Sequence, residues 1–248
     1  MSETVNTAQM VTRLTELNRQ YRAGAPTISD AEYDRLVEVL RLTDPQNPFL
    51  LQVEPEEINE KASVRHPTPM LSTQKAYTQK EVQDWVNRIE VAAVKLGISD
   101  VVFRVTPKLD GLAGRDDGEI FATRGNGRNG SDITFAFERG IIAVGGRGLG
   151  VGEIVVSQSY FDEHCTEHFE HPRNMAVGII SADVVSEFAK PALADGAVRF
   201  VPYTTLDAWE GTGFDLLSNI EQIRSSLVSS IDYALDGLVA EVTNSKIK

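Results

Sequence analysis

The sequence predicts an α+β protein: a small helical hairpin, then a body rich in antiparallel strands. Two patterns predict it. Apolar residues recur at helical spacing over about the first 45 residues, and again over 79–96. Beyond that the pattern turns mainly to short β-rich runs, punctuated by Gly-rich turns. No internal repeat or low-complexity tract interrupts this plan.

The first helix is expected over 6–23, where Met10, Leu14, Leu17 and Tyr21 share a face. "AGAPT" breaks it. "SDAE" then reads as a capping box, with Ser29 at N-cap and Glu32 at N3. The second helix runs to about Leu42, with an apolar stripe of Tyr33, Leu36, Val37 and Leu40. "TDPQNP" ends it, and 46–68 reads as a polar, Pro-bearing connection. A third helix over 79–96 carries Val82, Trp85, Val86, Ile89 and Val94. Strands are expected at 101–106, 119–124, 153–157, 198–204 and 237–243. A hairpin this short holds little core of its own. The expected division is therefore an appendage with its linker over 1–62 and a main domain over 63–248.

Length and composition bound the function. The 248 residues are 42% hydrophobic, enough for one large domain with an appendage. No run approaches the roughly 20 apolar residues that span a bilayer, so no membrane partner is expected. "MSETVNTAQM" lacks the basic and apolar regions of a signal peptide. Cys165 is the only cysteine, which excludes an intrachain disulfide and a multi-cysteine zinc site. These features predict a cytoplasmic protein. The net charge of −12 argues against a broad phosphate-binding surface, because duplex binding relies on Lys and Arg displacing counterions. It leaves room for a small basic pocket.

Four short stretches carry possible chemistry. "RVTPKLDGLAG" places Lys108 at the end of a β-rich run, two residues before Asp110-Gly111. K-x-D-G alone is ordinarily a surface lysine beside a turn. As chemistry, a lysine amine that has lost its proton can attack phosphorus. Asp110 could orient it or help hold a metal. "ATRGNGRNGSD" is a glycine-rich loop whose NH groups, with Arg124, could hold phosphate or ribose. Glu153 in "GVGEIVV" could bind a ribose hydroxyl or Mg²⁺. "YALDGLVAEV" is another strand that starts at Asp-Gly, Asp236-Gly237.

In series, these stretches resemble the motifs of covalent nucleotidyltransferases, and more narrowly those of NAD-dependent DNA ligases. "ISDAEYDRL", Ile28–Leu36, is similar to their nicotinamide-mononucleotide-binding motif. "HPTPMLST", His66–Thr73, resembles their linker into the adenylation domain, and "HPRN", His171–Asn174, a further element. The resemblance covers about Tyr21 to Val242. It implies a truncated nucleotidyltransferase domain (ATP-grasp-like, the ligase adenylation fold) after the helical subdomain. It implies that Lys108 attacks the α-phosphate of NAD, expels nicotinamide mononucleotide and becomes lysyl-AMP. Tyr21, Asp30, Tyr33 and Asp34 would bind the mononucleotide half. Ser72 and Thr73 would lie near the adenosine, Arg124 and Glu153 near the ribose and phosphates. NAD and Mg²⁺ are the implied cofactors, and nicked DNA the implied partner.

The pattern departs from the family at several positions. Thr106 stands where the family commonly has a Glu that contacts adenine. Arg22 replaces a common His, with one residue fewer before "ISD". The segment from Gly111 to Thr123 is shorter than usual, and Ser181 replaces an Arg. Glu241 stands where the Asp-Gly strand normally carries a Lys facing the α-phosphate. A carboxylate there repels phosphate; Lys246 or Lys248 would have to compensate. The family's next motif, OB fold, zinc site, helix-hairpin-helix repeats and BRCT domain do not appear in the 248 residues. The expected function is the adenylation component of an NAD-dependent DNA ligase, with the OB fold on a second ligase subunit. Two alternatives are a non-catalytic module that binds an adenine nucleotide or a partner, and an AMP transferase acting on RNA or protein.

Overall fold

The computed structural model describes residues 7–22, 27–51 and 62–247, except the side chains of 21, 22, 30, 31 and 51. It confirms an α+β architecture with antiparallel sheets. The chain divides into two compact units. One comprises 1–71 with Arg124–Ser131; the other comprises Ser72–Thr123 and Asp132–Lys248.

In the first unit, α1 (Thr7–Arg22) packs against α2 (Asp30–Thr43), burying Leu14 and Leu40 completely. The capping box at α2 is real: Ser29 Oγ accepts from the Glu32 amide, and Glu32 reaches back to the Ser29 amide. Within 46–68 the described residues are not all irregular. They include α3 (Pro48–Leu51) and β1 (Ser63–Arg65). β1 pairs antiparallel with β5 (Asn129–Ser131), which ends the glycine-rich loop. The His66 amide donates to Arg128 O at 2.8 Å, and the Met70 amide to Gly127 O at 2.8 Å. Nothing local marks 63–65 as a strand, because its hydrogen-bond partner lies some sixty residues away.

The second unit holds two sheets. The three-stranded sheet has the order β10-β2-β9, with β2 (Phe103–Leu109) in the middle. It is covered on one face by α4 (Gln79–Lys95) and α8 (Gly213–Val228). Val86, Phe103, Val105, Leu216, Ile223 and Leu227 form that core, with Trp85 and Trp209 packed against it. Each such buried side chain contributes about 1.5–3 kcal/mol of hydrophobic stabilisation.

The five-stranded sheet has the order β4-β3-β7-β8-β6: β3 (Leu112–Asp116), β4 (Phe121–Thr123), β6 (Ile142–Ala143), β7 (Gly150–Val156) and β8 (Val198–Pro202). Only the β6–β8 pair is parallel. Phe121 and Phe200, both fully buried, meet at 4.6 Å between ring centroids. α6 (Pro172–Ser181) packs against β7 and β3.

The expected strands are all present, at β2, β4, β7, β8 and β10 (Leu235–Val242). The stretch 97–248 is rich in strands as expected, but it is not strands alone. That stretch also contains α5 (Gln158–His164), α6, α7 (Lys190–Ala194) and α8. β9 (Trp209–Gly211) also escapes a sequence reading, being only three residues long. α8 has a helix start, since Thr212 caps the Asp215 amide. Its apolar stripe is broken by a non-helical turn at Asn219, which hides the period. α6 starts at a His N-cap followed by Pro172 at the first turn, a signal carried by hydrogen bonding and not by apolar spacing.

Candidate active site

β2 alternates strictly. Phe103, Val105, Pro107 and Leu109 are buried in the core, so Arg104, Thr106 and Lys108 share the opposite, half-exposed face. Lys108 is therefore neither a loose surface lysine nor a sealed one; its side chain is 37% exposed. β10 runs antiparallel beside it. Leu235 pairs with Leu109 and Leu238 with Pro107, so Asp236 and Gly237 together oppose the single residue Lys108. This is a β-bulge, and bulges re-aim side chains. Gly237 takes φ +105°, a region that favours glycine. The bulge delivers the Asp236 carboxylate to the Lys108 ammonium as a hydrogen-bonded ion pair.

The segment entering the bulge is pinned from the other side. Asp232 accepts from Ser157 Oγ at 2.6 Å, the Ser159 amide at 2.9 Å and Ser159 Oγ at 2.8 Å. Burial pushes the Asp232 carboxyl up, but these hydrogen bonds outweigh it and leave the group below the usual range. The start of α5 thus fixes the approach to Asp236.

Asp110 has a different environment. Its amide donates to Ala234 O at 2.9 Å. Its carboxylate accepts from Arg173 Nη1 at 3.1 Å, and His171 Nε2 stands 3.7 Å away. His171 Nδ1 accepts from the Arg173 amide at 3.2 Å as the N-cap of α6. That acceptor role puts the proton of neutral His171 on Nε2, facing Asp110. The "HPRN" stretch is therefore a clamp on Asp110. The carboxylate that meets Lys108 is Asp236, while Asp110 is held by Arg173.

Glu153 lies on β7, 7% exposed, and accepts a hydrogen bond from the Tyr203 hydroxyl. A Cβ placed on Gly111 would stand 3.0 Å from Glu153 Cγ. Glu153 thus packs at the corner that follows Asp110. Deeper in the same sheet, the fully buried Asp116 accepts from Arg147 Nη2 at 2.7 Å and the Gly148 amide at 2.8 Å. Burial pushes the Asp116 carboxyl up, but the Arg147 hydrogen bond and the backbone amides win and hold it low.

Thr106 sits between Arg104 and Lys108, directly across from Val239. Glu241 lies on the same face of β10, directly across from Arg104. Ser72 and Thr73 are exposed in an irregular stretch at the start of the second unit. In the first unit, Tyr33 and Asp34 are half-buried on α2. Arg124 opens the loop clasped by 63–70, where its carbonyl lies 3.1 Å from His66 Nε2. The side chains of Tyr21, Arg22 and Asp30 and all of Lys248 lie outside the described residues.

Three participants were not singled out as site residues by the sequence. Asp236 and Arg173 lie in stretches whose composition is visible, but what they touch is not. Tyr203 follows β8 with no local signal, and only the fold brings it to Glu153.

Residues 58–194 match the family model for the NAD-dependent DNA ligase adenylation domain. A DNA ligase from Desulfatibacillum aliphaticivorans is 56% identical over 95% of this chain and 37% of its own length. One from Psychromonas ingrahamii is 40% identical over 98% of this chain and 38% of its own length. One from Shewanella baltica is 39% identical over 97% of this chain. The chain thus spans less than two-fifths of the relatives' length. The family match covers more than half of the chain, and the strand carrying Lys108 lies within it. The chain belongs to the NAD-dependent DNA ligase adenylation-domain family.

Proposed function

We propose that this chain is the adenylation component of an NAD-dependent DNA ligase and that Lys108 is its nucleophile. The observation that carries the reading is Lys108 itself, held on an open strand face by the Asp236 bulge. In the proposed step the Lys108 Nζ–phosphorus bond forms and the pyrophosphate P–O bond breaks. Nicotinamide mononucleotide leaves, and lysyl-AMP remains. The attacking amine gives up its proton, for which Asp236 is the adjoining acceptor.

The other roles follow the family resemblance. Asp110 is proposed to set the corner next to Lys108, with Arg173 and His171 holding it in one orientation. Glu153 and Arg124 would meet ribose and phosphate oxygens. Thr106, Ser72 and Thr73 would line the adenosine. Tyr21, Asp30, Tyr33 and Asp34 would hold the mononucleotide half, and two carboxylates suit a cationic nicotinamide ring. Magnesium binds through one or two carboxylates plus substrate phosphates, and demands no dedicated protein cage. Asp236, exposed beside Lys108, and Glu153 fit that donor set. The ion would neutralise charge on the pyrophosphate.

Nicked DNA is the proposed eventual substrate. With a net charge of −12, these residues offer little counterion-release affinity for a duplex. DNA engagement is therefore proposed to rest on further ligase modules, with a second OB-fold subunit as the form favoured here. A cytoplasmic setting is proposed; among the described residues no helix is long and apolar enough to cross a membrane.

The direct test is incubation with NAD and Mg²⁺, read by intact mass and peptide mapping. One AMP is expected on Lys108. Lys108→Arg should abolish it, because a guanidinium stays protonated at working pH. A wild-type chain that never acquires the adduct, even with ligase modules added, would overturn the catalytic reading in favour of a nucleotide-binding module.

A further inference from the structure

The clamp on Asp110 is built at the start of α6, and the far end of that helix is held as well. Arg139 follows the short 3-10 turn Thr134–Ala136. Its Nη1 donates to Ile179 O at 2.5 Å and to Ala182 O at 2.8 Å, and its Nη2 to Asp183 O at 3.1 Å. The guanidinium lies over the Phe135 ring, 4.4 Å from its centroid. Three carbonyls at one helix end thus share one arginine, some forty residues away in sequence.

α6 draws on this outside donor for a reason. The last carbonyls of a helix lack partners within it, and a cation there also complements the helix dipole. The last turn of α6 has no basic residue of its own. Ser181 stands there, where the family pattern carries an Arg. Arg139 brings the charge from another part of the chain.

The helix rests on β7 and β3, and Met175, Ala176, Ile179 and Ile180 are buried. Apolar packing is non-directional, so it sets which face is covered better than it sets position along the axis. Hydrogen bonds are directional and fix that position. A ten-residue helix is about 15 Å long and moves as a rod. A slip at Ala182 therefore arrives at Arg173, whose 3.1 Å bond to Asp110 has little slack. We propose that Arg139 is a positioning residue for nucleotidyl transfer. By fixing the end of α6 it sets where Arg173 and His171 hold Asp110, at the corner beside Lys108. This inference rests on the proposed reaction and deepens it, adding a residue that acts through α6 to those that align the Lys108 corner.

The test combines single-turnover formation of lysyl-AMP with amide exchange. Arg139→Met removes the donors and keeps the aliphatic stem. It should lower the maximal rate by about tenfold or more, since a misplacement of about 1 Å far from the chemistry can cost about 100-fold. Half-saturating NAD should change by less than about twofold, because no uniform binding contact is removed. Arg139→Lys keeps the charge and part of the donor set, and should recover part of the rate. In an Asp110→Asn background, Arg139→Met should cost little further rate, whereas the losses in urea midpoint should add. Exchange of the Arg173 amide, which donates to His171 Nδ1 at the opposite end of α6, should quicken in Arg139→Met. That readout needs no activity, so it decides the case if Asp110→Asn is inactive. If Arg139→Met does not fold, Arg139→Lys carries both measurements. A maximal rate like that of wild type, rate losses that multiply with those of Asp110→Asn, or faster exchange confined to Ile180–Asp183 would make Arg139 a cap for stability alone. Each overturns the inference and leaves the nucleophile untouched. No adduct from any form, wild type included, overturns the transfer reaction and this inference with it.

Discussion

The chain contains the tetrapeptide Leu-Asp-Gly-Leu twice, at Leu109–Leu112 and at Leu235–Leu238. The two copies are neighbours, since Leu109 pairs with Leu235. They do different work. In the first, Gly111 is required by packing: a Cβ there would sit 2.1 Å from the Ile154 carbonyl oxygen. In the second, a Cβ on Gly237 would meet no atom within 4 Å, but its φ of +105° disfavours any side chain. The first aspartate is 18% exposed and clamped by Arg173; the second is 62% exposed and pairs with Lys108. Identical residues become a packed corner in one place and an open bulge beside Lys108 in the other, and the neighbours decide which.

The largest effects should separate the two aspartates. Asp236→Asn keeps the shape of the bulge but removes the proton acceptor from Lys108. Lysyl-AMP formation should slow by about 100-fold or more, the usual worth of a positioned general base. Its melting temperature should barely move, because an exposed ion pair contributes little. Asp110→Asn should do the reverse in stability. It leaves the half-buried Arg173 guanidinium with a weaker acceptor, and should cost about 1.5–3 kcal/mol in urea unfolding. Equal stability losses in the two variants would break the comparison.

The glycines sharpen it further. Gly111→Ala drives the corner before β3 against Ile154 on β7, and overpacking of this kind typically costs about 1–3 kcal/mol. Gly237→Ala meets no atom, and only the backbone resists, at about 1–2 kcal/mol. The distinguishing measurement is a crystal structure or amide exchange of each variant. Gly111→Ala should disturb β7 around Glu153, whereas Gly237→Ala should disturb only the bulge and the Asp236 contact.

How much of this was legible beforehand follows from the range of each interaction. The helical hairpin was legible because its signals are local: Ser29 and Glu32 are three residues apart, and Leu36 and Leu40 four. The strand bearing Lys108 was legible in part. Pro107 reads as an interruption, yet β2 continues to Leu109, because β9 pairs only with residues 103–105. Which carboxylate meets Lys108 was not legible. Asp110 is two residues away in sequence and Asp236 is 128 away, and the register chooses the distant one. The same holds for Glu241. As a residue it reads as a bare negative charge, and only the pairing sets Arg104 opposite it.

The smallest effect should appear in acid, where the second copy depends on a support the first lacks. Asp232, four residues before Asp236, is tied to Ser157 and Ser159, and its carboxyl is held below the usual range. A carboxyl depressed in the folded state stabilises above its unfolded pKa of about 3.9 and loses that contribution as pH falls through the folded value. The Asp232 contribution should therefore be fully present at neutral pH and fade below about pH 4. Asp116, held low by Arg147, follows the same sign in the five-stranded sheet. Asp232→Asn should lower stability at neutral pH by about 1 kcal/mol, the worth of one net hydrogen bond. It should also flatten the stability–pH curve below about pH 4 without touching the Asp116 share. Urea midpoints from pH 7 to pH 3, for wild type and Asp232→Asn, measure both. Curves that stay parallel down to pH 3 would mean that the α5 cap does not anchor the approach to Asp236. The second Leu-Asp-Gly-Leu would then hold its bulge by glycine conformation alone.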